Sequence, residues 1–491
     1  MNTSPFSSSS PMSRREALLR AGGGAGHIAL AAMLAGRGGL QAANFDQNRT
    51  IDPMQPLAPR TAHFGGKAKR VLWLFQYGGA PSVDLFDYKP DLYALHGKPV
   101  PESIKSKASK VGGVFNSSKD QLLAEPFRFS QHGQSGQWVS DLMPHTAQHV
   151  DDLCFIKSMH SDSSNHAPAT YQMNTGVILG DRPSLGSWVT YGLGSENANL
   201  PGFVVLFEVG GFGGTANWSN AFLPAAFQAT KFRHQGDAVL NLRPPQDVAA
   251  SQRQTFDLLQ TFNRSHAASR DSVPDLQGRI ASYELAYRMQ SAAMDVGNLS
   301  GESAATLEMY GINDSSRIKA QYGRQCLMAR RLLERGVRVV QVYQGVDKYG
   351  WDGHDDNNAY AIRNAMQTDQ ATGALLTDLK RSGLLEDTLV IWAGEFGRTP
   401  MLQGGKGRNH NPYGFTVWLA GGGVRGGQSI GTTDAIGLRA EEDPVSVKDF
   451  HATILHALGL RNDDLFFEHN GRPERLTGVA GTAKVVRSVF A

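Results

Sequence analysis

The sequence predicts an α/β protein: a three-layer sandwich with a mostly parallel central sheet and helices on both faces. Three observations carry this. Short apolar runs alternate with stretches of helical periodicity along most of the chain. The chain has 491 residues, 41% hydrophobic and 19% charged, an ordinary globular balance with ample length for a large core. Its 55 glycines fall largely in short clusters between the apolar runs, as tight loops require.

The elements follow in chain order. Arg70–Tyr77 (RVLWLFQY) reads as a first buried strand ending at Gly78-Gly79. Residues 98–137, rich in Lys, Ser, Gly and Gln, read as a surface excursion. Asp152–Ser158 is a second buried strand, Pro168–Asn174 has helical potential, and Phe203–Phe207 is a strand. Arg279–Met294 and Ile318–Glu334 carry apolar residues at helical spacing, and Val337–Tyr343 follows as a strand. Asn357–Lys380 is a helix, Thr388–Ala393 and Phe415–Ala420 are strands, and Val447–Leu458 is a last helix. No internal repeat interrupts this order.

The N-terminus reads as a targeting segment over residues 1–43. Arg14-Arg15 precedes a mildly apolar Gly/Ala/Leu run from Ala21 to Gly36, the pattern of a twin-arginine export signal. Residues 44–68 read as a linker, and 69–491 as one domain. Export by this route places the mature chain in the periplasm or outside the cell. The leader holds four arginines against Glu16, the whole of the chain's +3 charge, so the mature part is neutral. That excludes a nucleic-acid footprint. No later segment has the roughly 18 apolar residues of a membrane helix. Cys154 and Cys326 sit in apolar stretches and read as buried thiols.

Ligands of such sheets bind beyond the carboxyl ends of the strands. Polar groups follow the apolar runs there. Ser82, Asp84 and Asp87 follow the first strand, and His160 to His166 the second. Asp347, then Asp352-Gly353-His354, follow the strand at 337–343; Glu395 and Arg398 follow Ala393, with Arg408 and His410 just beyond. Imidazole with carboxylate suits a divalent ion such as zinc or manganese, and oxygen-only sets suit calcium. The candidate ligands are Asp84, Asp352, His354, Glu395 and His410, with Arg398 or Arg408 as an anion clamp. Each has a plainer reading as well. Asp-Gly-His is a common turn, Glu395 can pair with Arg398, and Asp84 can cap a helix.

Across residues 71–460 the chain resembles the bacterial family called domain of unknown function 1501. The resemblance rests on GGAPSVDLFDYKP (78–90), NHAPATYQMNTG (165–176), ELAYRMQ (284–290), ARRLLERGVRVVQV (329–342), WDGH (351–354) and GEFGRTP (394–400). That family resembles in turn the alkaline-phosphatase superfamily, with its sulfatases and phosphodiesterases. The resemblance implies an alkaline-phosphatase-like fold, one or two metal ions, and a nucleophile at a helix N-terminus. Val445–Leu460 looks like the sulfatase C-terminal stretch, and His166–Gly176 like the sulfatase signature, with Pro168, Thr175 and Gly176 on its fixed positions.

The same comparison shows departures. His166 stands at the nucleophile position and Thr170 at the signature arginine. Gly78-Gly79 replaces a strand-ending aspartate, and Glu395-Phe396 replaces a ligand pair. Two readings follow. In one, the chain is a metal-dependent hydrolase of sulfate or phosphate esters, acting on an anionic small molecule or glycan ester, with Ser82, His166 or a water as nucleophile and His410 as ligand or acid. In the other, hydrolysis is lost and a binding or scaffold protein remains. A helix beginning near Pro168 places His166 in the field of its N-terminus, which favours a neutral imidazole. Such a ring can ligate a metal or attack phosphorus, while Asn165 can cap the helix.

Overall fold

The computed structural model describes residues 51–491 except 53–54, 109–119, 125, 208–210, 241, 243–250, 269–273 and 345–348. The expected export signal at 1–43, the start of the expected linker and Asp347 therefore lie outside the described residues. Ile51–Ala491 forms one compact unit. Residues 55–68 are held against it: Arg60 donates to the carbonyl oxygens of Pro56, Thr190 and Tyr191.

Nine strands make the central sheet. They are β1 (Arg70–Phe75), β2 (Leu153–His160), β3 (Phe203–Leu206), β4 (Thr230–Phe232), β5 (Val339–Tyr343) and β6 (Thr388–Ala393). After a hairpin of β7 (Gly397–Gln403) and β8 (Gly407–Asn411) come β9 (Phe415–Ala420), β10 (Gln428–Ile430) and β11 (Val445–Ser446). The order is β10-β2-β9-β6-β1-β5-β3-β4, with β11 also on β2. Every pair is parallel except those of β9, which runs antiparallel to β2 and β6. The sheet is mostly parallel, as the alternation of runs predicts.

Helices cover both faces. The principal ones are α1 (Ser82–Leu85), α2 (His166–Thr175), α3 (Leu185–Leu193), α4 (Gln252–Ala268), α5 (Pro274–Gly297), α6 (Arg317–Glu334), α7 (Asn357–Arg381) and α8 (Val447–Ala457). Alternate residues of β1 point to opposite faces, as the pleat requires. Leu72 and Leu74 join α6 and α7 in one core. Val71, Trp73 and Phe75 join α2, α3 and α8 in the other. This is a three-layer α/β/α sandwich. Cys154 and Cys326 are free and buried, one in each core, and burial pushes both thiols up.

The register decides where function can sit. Phe75 pairs with both Tyr343 and Ala393, so β1, β5 and β6 end level. Phe415 at the start of β9 pairs with Met159 near the end of β2. Because β9 is antiparallel, its beginning and the ends of β1, β2, β5 and β6 share one rim. The β7–β8 hairpin springs from that rim, and so does α2.

Candidate metal centre

Four side chains meet above this rim. His166 is the first residue of α2, and Asp352 and His354 lie on the segment between β5 and α7. His410 comes from β8. One donor atom from each lies within 4.8 Å of the others. Glycines permit the close approach. A Cβ on Gly407 would sit 1.7 Å from the carbonyl oxygen of His354, and one on Gly78 2.3 Å from that of Tyr349. These contacts explain two glycines that the sequence offers only as turn formers.

Each imidazole is anchored at Nδ1 by an acceptor. His166 Nδ1 donates to Glu395 Oε1 at 2.7 Å. His354 Nδ1 donates to Gln403 Oε1 at 2.5 Å, and His410 Nδ1 to the carbonyl oxygen of Ser164 at 2.6 Å. In a neutral ring a protonated Nδ1 leaves a lone pair on Nε2. All three Nε2 atoms turn toward Asp352 Oδ1, at 3.2, 3.0 and 3.4 Å for His166, His354 and His410. His354 Nε2 and His410 Nε2 are 2.8 Å apart. His166 Nε2 is buried and lies off any hydrogen-bonding line, so it is orphaned. Bonds of about 2.1 Å to a cation separate donor atoms by about 3.0 Å at right angles and about 3.4 Å in a tetrahedron. The three separations from Asp352 fall in that range and the His354–His410 pair stands closer at 2.8 Å, so the donor set fits a metal ion with small shifts.

The electrostatics agree. Burial alone would raise the Asp352 carboxyl, but the His166, His354 and His410 rings against it and the Arg398 guanidinium hold it far below the usual range. Burial pushes His410 down to about 4, with Arg398 and His166 adding to the fall. Burial also depresses His166, yet the Asp352 and Glu395 carboxylates beside the ring outweigh it and the ring is raised. Asn165 makes no side-chain cap on α2. The ring of His166 stacks on Phe212 at 3.9 Å and 9°, and Phe396 packs against both His166 and His410.

The other sequence candidates are placed differently. Glu395 is fully buried and reaches the cluster only through His166, its Oε1 also accepting from Gly78 N at 2.8 Å. Asp84 is paired in both oxygens with Arg408, at 2.9 and 3.0 Å, and accepts from Asn357. Arg408 is fully buried, with its remaining nitrogen on the carbonyl oxygen of Thr399. Arg398 is engaged at all three nitrogens, by the carbonyl oxygens of Gly78, Gly79 and Arg408 and by Asp352. Ser82 is buried at the start of α1, and its hydroxyl accepts from Thr416 N at 2.8 Å. Buried ion pairing therefore claims Asp84 and Arg408, and a backbone amide claims Ser82. Gln403 and Phe212 carry no sequence signal.

The family model described as "Protein of unknown function (DUF1501)" matches residues 68–490. No curated protein matches the chain. Among solved structures, the PsFucS1 sulfatase from Pseudoalteromonas sp. overlaps 80% of this chain and 68% of its own, at 14% identity and a TM-score of 0.34. A phosphonate monoester hydrolase from Silicibacter pomeroyi overlaps 71% and 72%, at 11% identity and 0.34. A protein in the alkaline phosphatase superfamily from Vibrio parahaemolyticus overlaps 86% and 76%, at 11% and 0.33. At such identities and scores the overlaps say nothing of activity.

Proposed function

The chain belongs to the DUF1501 family of proteins of unknown function, and we propose that it is an exported metal-dependent hydrolase of sulfate or phosphate esters. Its divalent ion would be held by His166, Asp352, His354 and His410. The observation that carries the reading is the convergence of three Nδ1-anchored imidazoles, Nε2 inward, on one carboxylate oxygen. Export rests on the twin-arginine pattern at Arg14-Arg15.

The donor set narrows the ion. Three imidazoles and a carboxylate suit zinc or manganese. Calcium takes about six to eight oxygen donors and is disfavoured here. When bound, such an ion supplies Lewis acidity toward an anionic ester and toward water. The chain's own residues do the rest. Glu395 fixes the His166 tautomer, as Gln403 and the Ser164 carbonyl fix the other two. Phe212 and Phe396 keep water from the ring faces. His354 has the most exposed of the four side chains, at 37%, so the site opens toward solvent on its side.

The engagement of Ser82, Arg398 and Arg408 favours a second reading, an ion-binding protein without turnover. One experiment separates the two. Purified full chain, reconstituted with zinc or manganese and desalted, is expected to hold about one ion per chain. Asp352→Ala, His354→Ala and His410→Ala should each lose most of it. The metal-loaded parent is expected to hydrolyse aryl sulfate or aryl phosphate. Uptake of neither metal ends both readings, and metal without turnover on either ester leaves the second.

A further inference from the structure

Residues 349–356, which carry Asp352 and His354, form neither helix nor strand, yet their two donor atoms must be held to a few tenths of an ångström. Its support comes from below. Trp351 is almost fully buried, and its Nε1 donates to Gln76 Oε1 at 3.1 Å. An indole N–H can only donate, so the Gln76 oxygen is fixed toward Trp351. Asn364 on α7 donates from Nδ2 to the carbonyl oxygens of Gly350 and Tyr360, at 2.8 and 2.7 Å. Its Oδ1 therefore faces Gln344, whose Nε2 donates to it and to Gln367 Oε1. Each amide thus has one orientation: Gln76 presents its oxygen to the segment and Asn364 its N–H.

All of these amides are buried: Gln76 and Gln344 show no exposure, Asn364 1% and Gln367 2%. They occupy the layer between sheet and helices where apolar residues would pack at less cost. Buried amide networks gain little net stability but fix one arrangement; here every amide but Gln344, whose Oε1 lacks a partner, is satisfied. Trp351 adjoins Asp352, and Gly350 lies two residues before it.

Resting on the metal reading above, we infer that Gln76 and Asn364 are positioning residues of the metal centre, which they reach only through Trp351 and Gly350. The test is zinc affinity of the full chain, measured by competition with a chromogenic chelator. Asn364→Leu and Gln76→Leu are expected to weaken zinc binding about ten- to a hundredfold, as loss of outer support does at metal sites. Trp351→Phe keeps a smaller aromatic ring and removes the donor, so it should weaken zinc in the same direction and guards against misfolding of the other two. Far-ultraviolet circular dichroism of the metal-free variants should match the parent. Unchanged zinc affinity in folded Trp351→Phe and either amide variant overturns the inference while the metal reading stands. A parent that takes up no zinc overturns the reading and the inference together.

Discussion

Glu395 shows how a ligand position and a supporting position differ by one bond. Its Oε2 is buried without a partner, and its Oε1 faces an imidazole rather than the cluster's centre. Glu395→Gln keeps the shape but can present an N–H to His166 and turn the ring's lone pair outward. Metal affinity is expected to fall about ten- to a hundredfold, read by chelator competition. Arg408→Leu should act otherwise. It strands the Asp84 carboxylate in the interior, a loss on the order of 3–5 kcal/mol in urea unfolding. Ser82→Ala is expected to leave zinc affinity within about twofold, since its hydroxyl serves Thr416. Asp352, His354 and His410 were legible in the sequence because they follow strand ends on one rim. The roles of Asp84, Arg398 and Arg408 were not, because sequence order does not reveal which buried charges neutralise one another.

At the scale of elements, the apolar strands were read almost to the residue: Thr388–Ala393 and Phe415–Ala420 stand as expected. The β7–β8 hairpin was missed, since GRTPMLQ and GRNHN are too polar to read as strands. Pairing with each other and burial against Phe415 and Ser82 order them instead of periodicity. The helix at Leu185–Leu193 was also missed: it is buried at every position and so lacks an apolar stripe. The join between α8 and α2 gives a pH prediction. His451 on α8 is fully buried, its Nε2 donates to the carbonyl oxygen of Met173, and burial pushes it down to about 4. Unfolded, the ring takes its proton near pH 6.5, so its contribution is present above that value and is lost as pH falls toward 4. Between pH 7 and 4 the metal-free parent should lose on the order of 3 kcal/mol more stability than His451→Gln, measured by urea unfolding.

Across the whole molecule, the four candidate ligands belong to three stretches far apart in sequence, at His166, at Asp352 and His354, and at His410. An ion held there ties the layer of α2 and α8 to the β7–β8 hairpin and to the start of α7. Zinc at about a hundred times its dissociation constant should raise unfolding free energy by about 2.7 kcal/mol, and EDTA should reverse the gain. The lone antiparallel strand has a further consequence. Because β9 turns back where its neighbours run on, the chain leaves the sheet after β6 and re-enters beside it on the same rim. The hairpin between is therefore an insertion that carries His410 to the cluster, and its tip is tied back where Lys406 bridges Asp356 and its carbonyl oxygen accepts from Asn357 N. Both native thiols are buried, so a fluorophore on Lys406→Cys would be the molecule's sole tag, a built-in gauge of what arrives at the neighbouring His/Asp cluster.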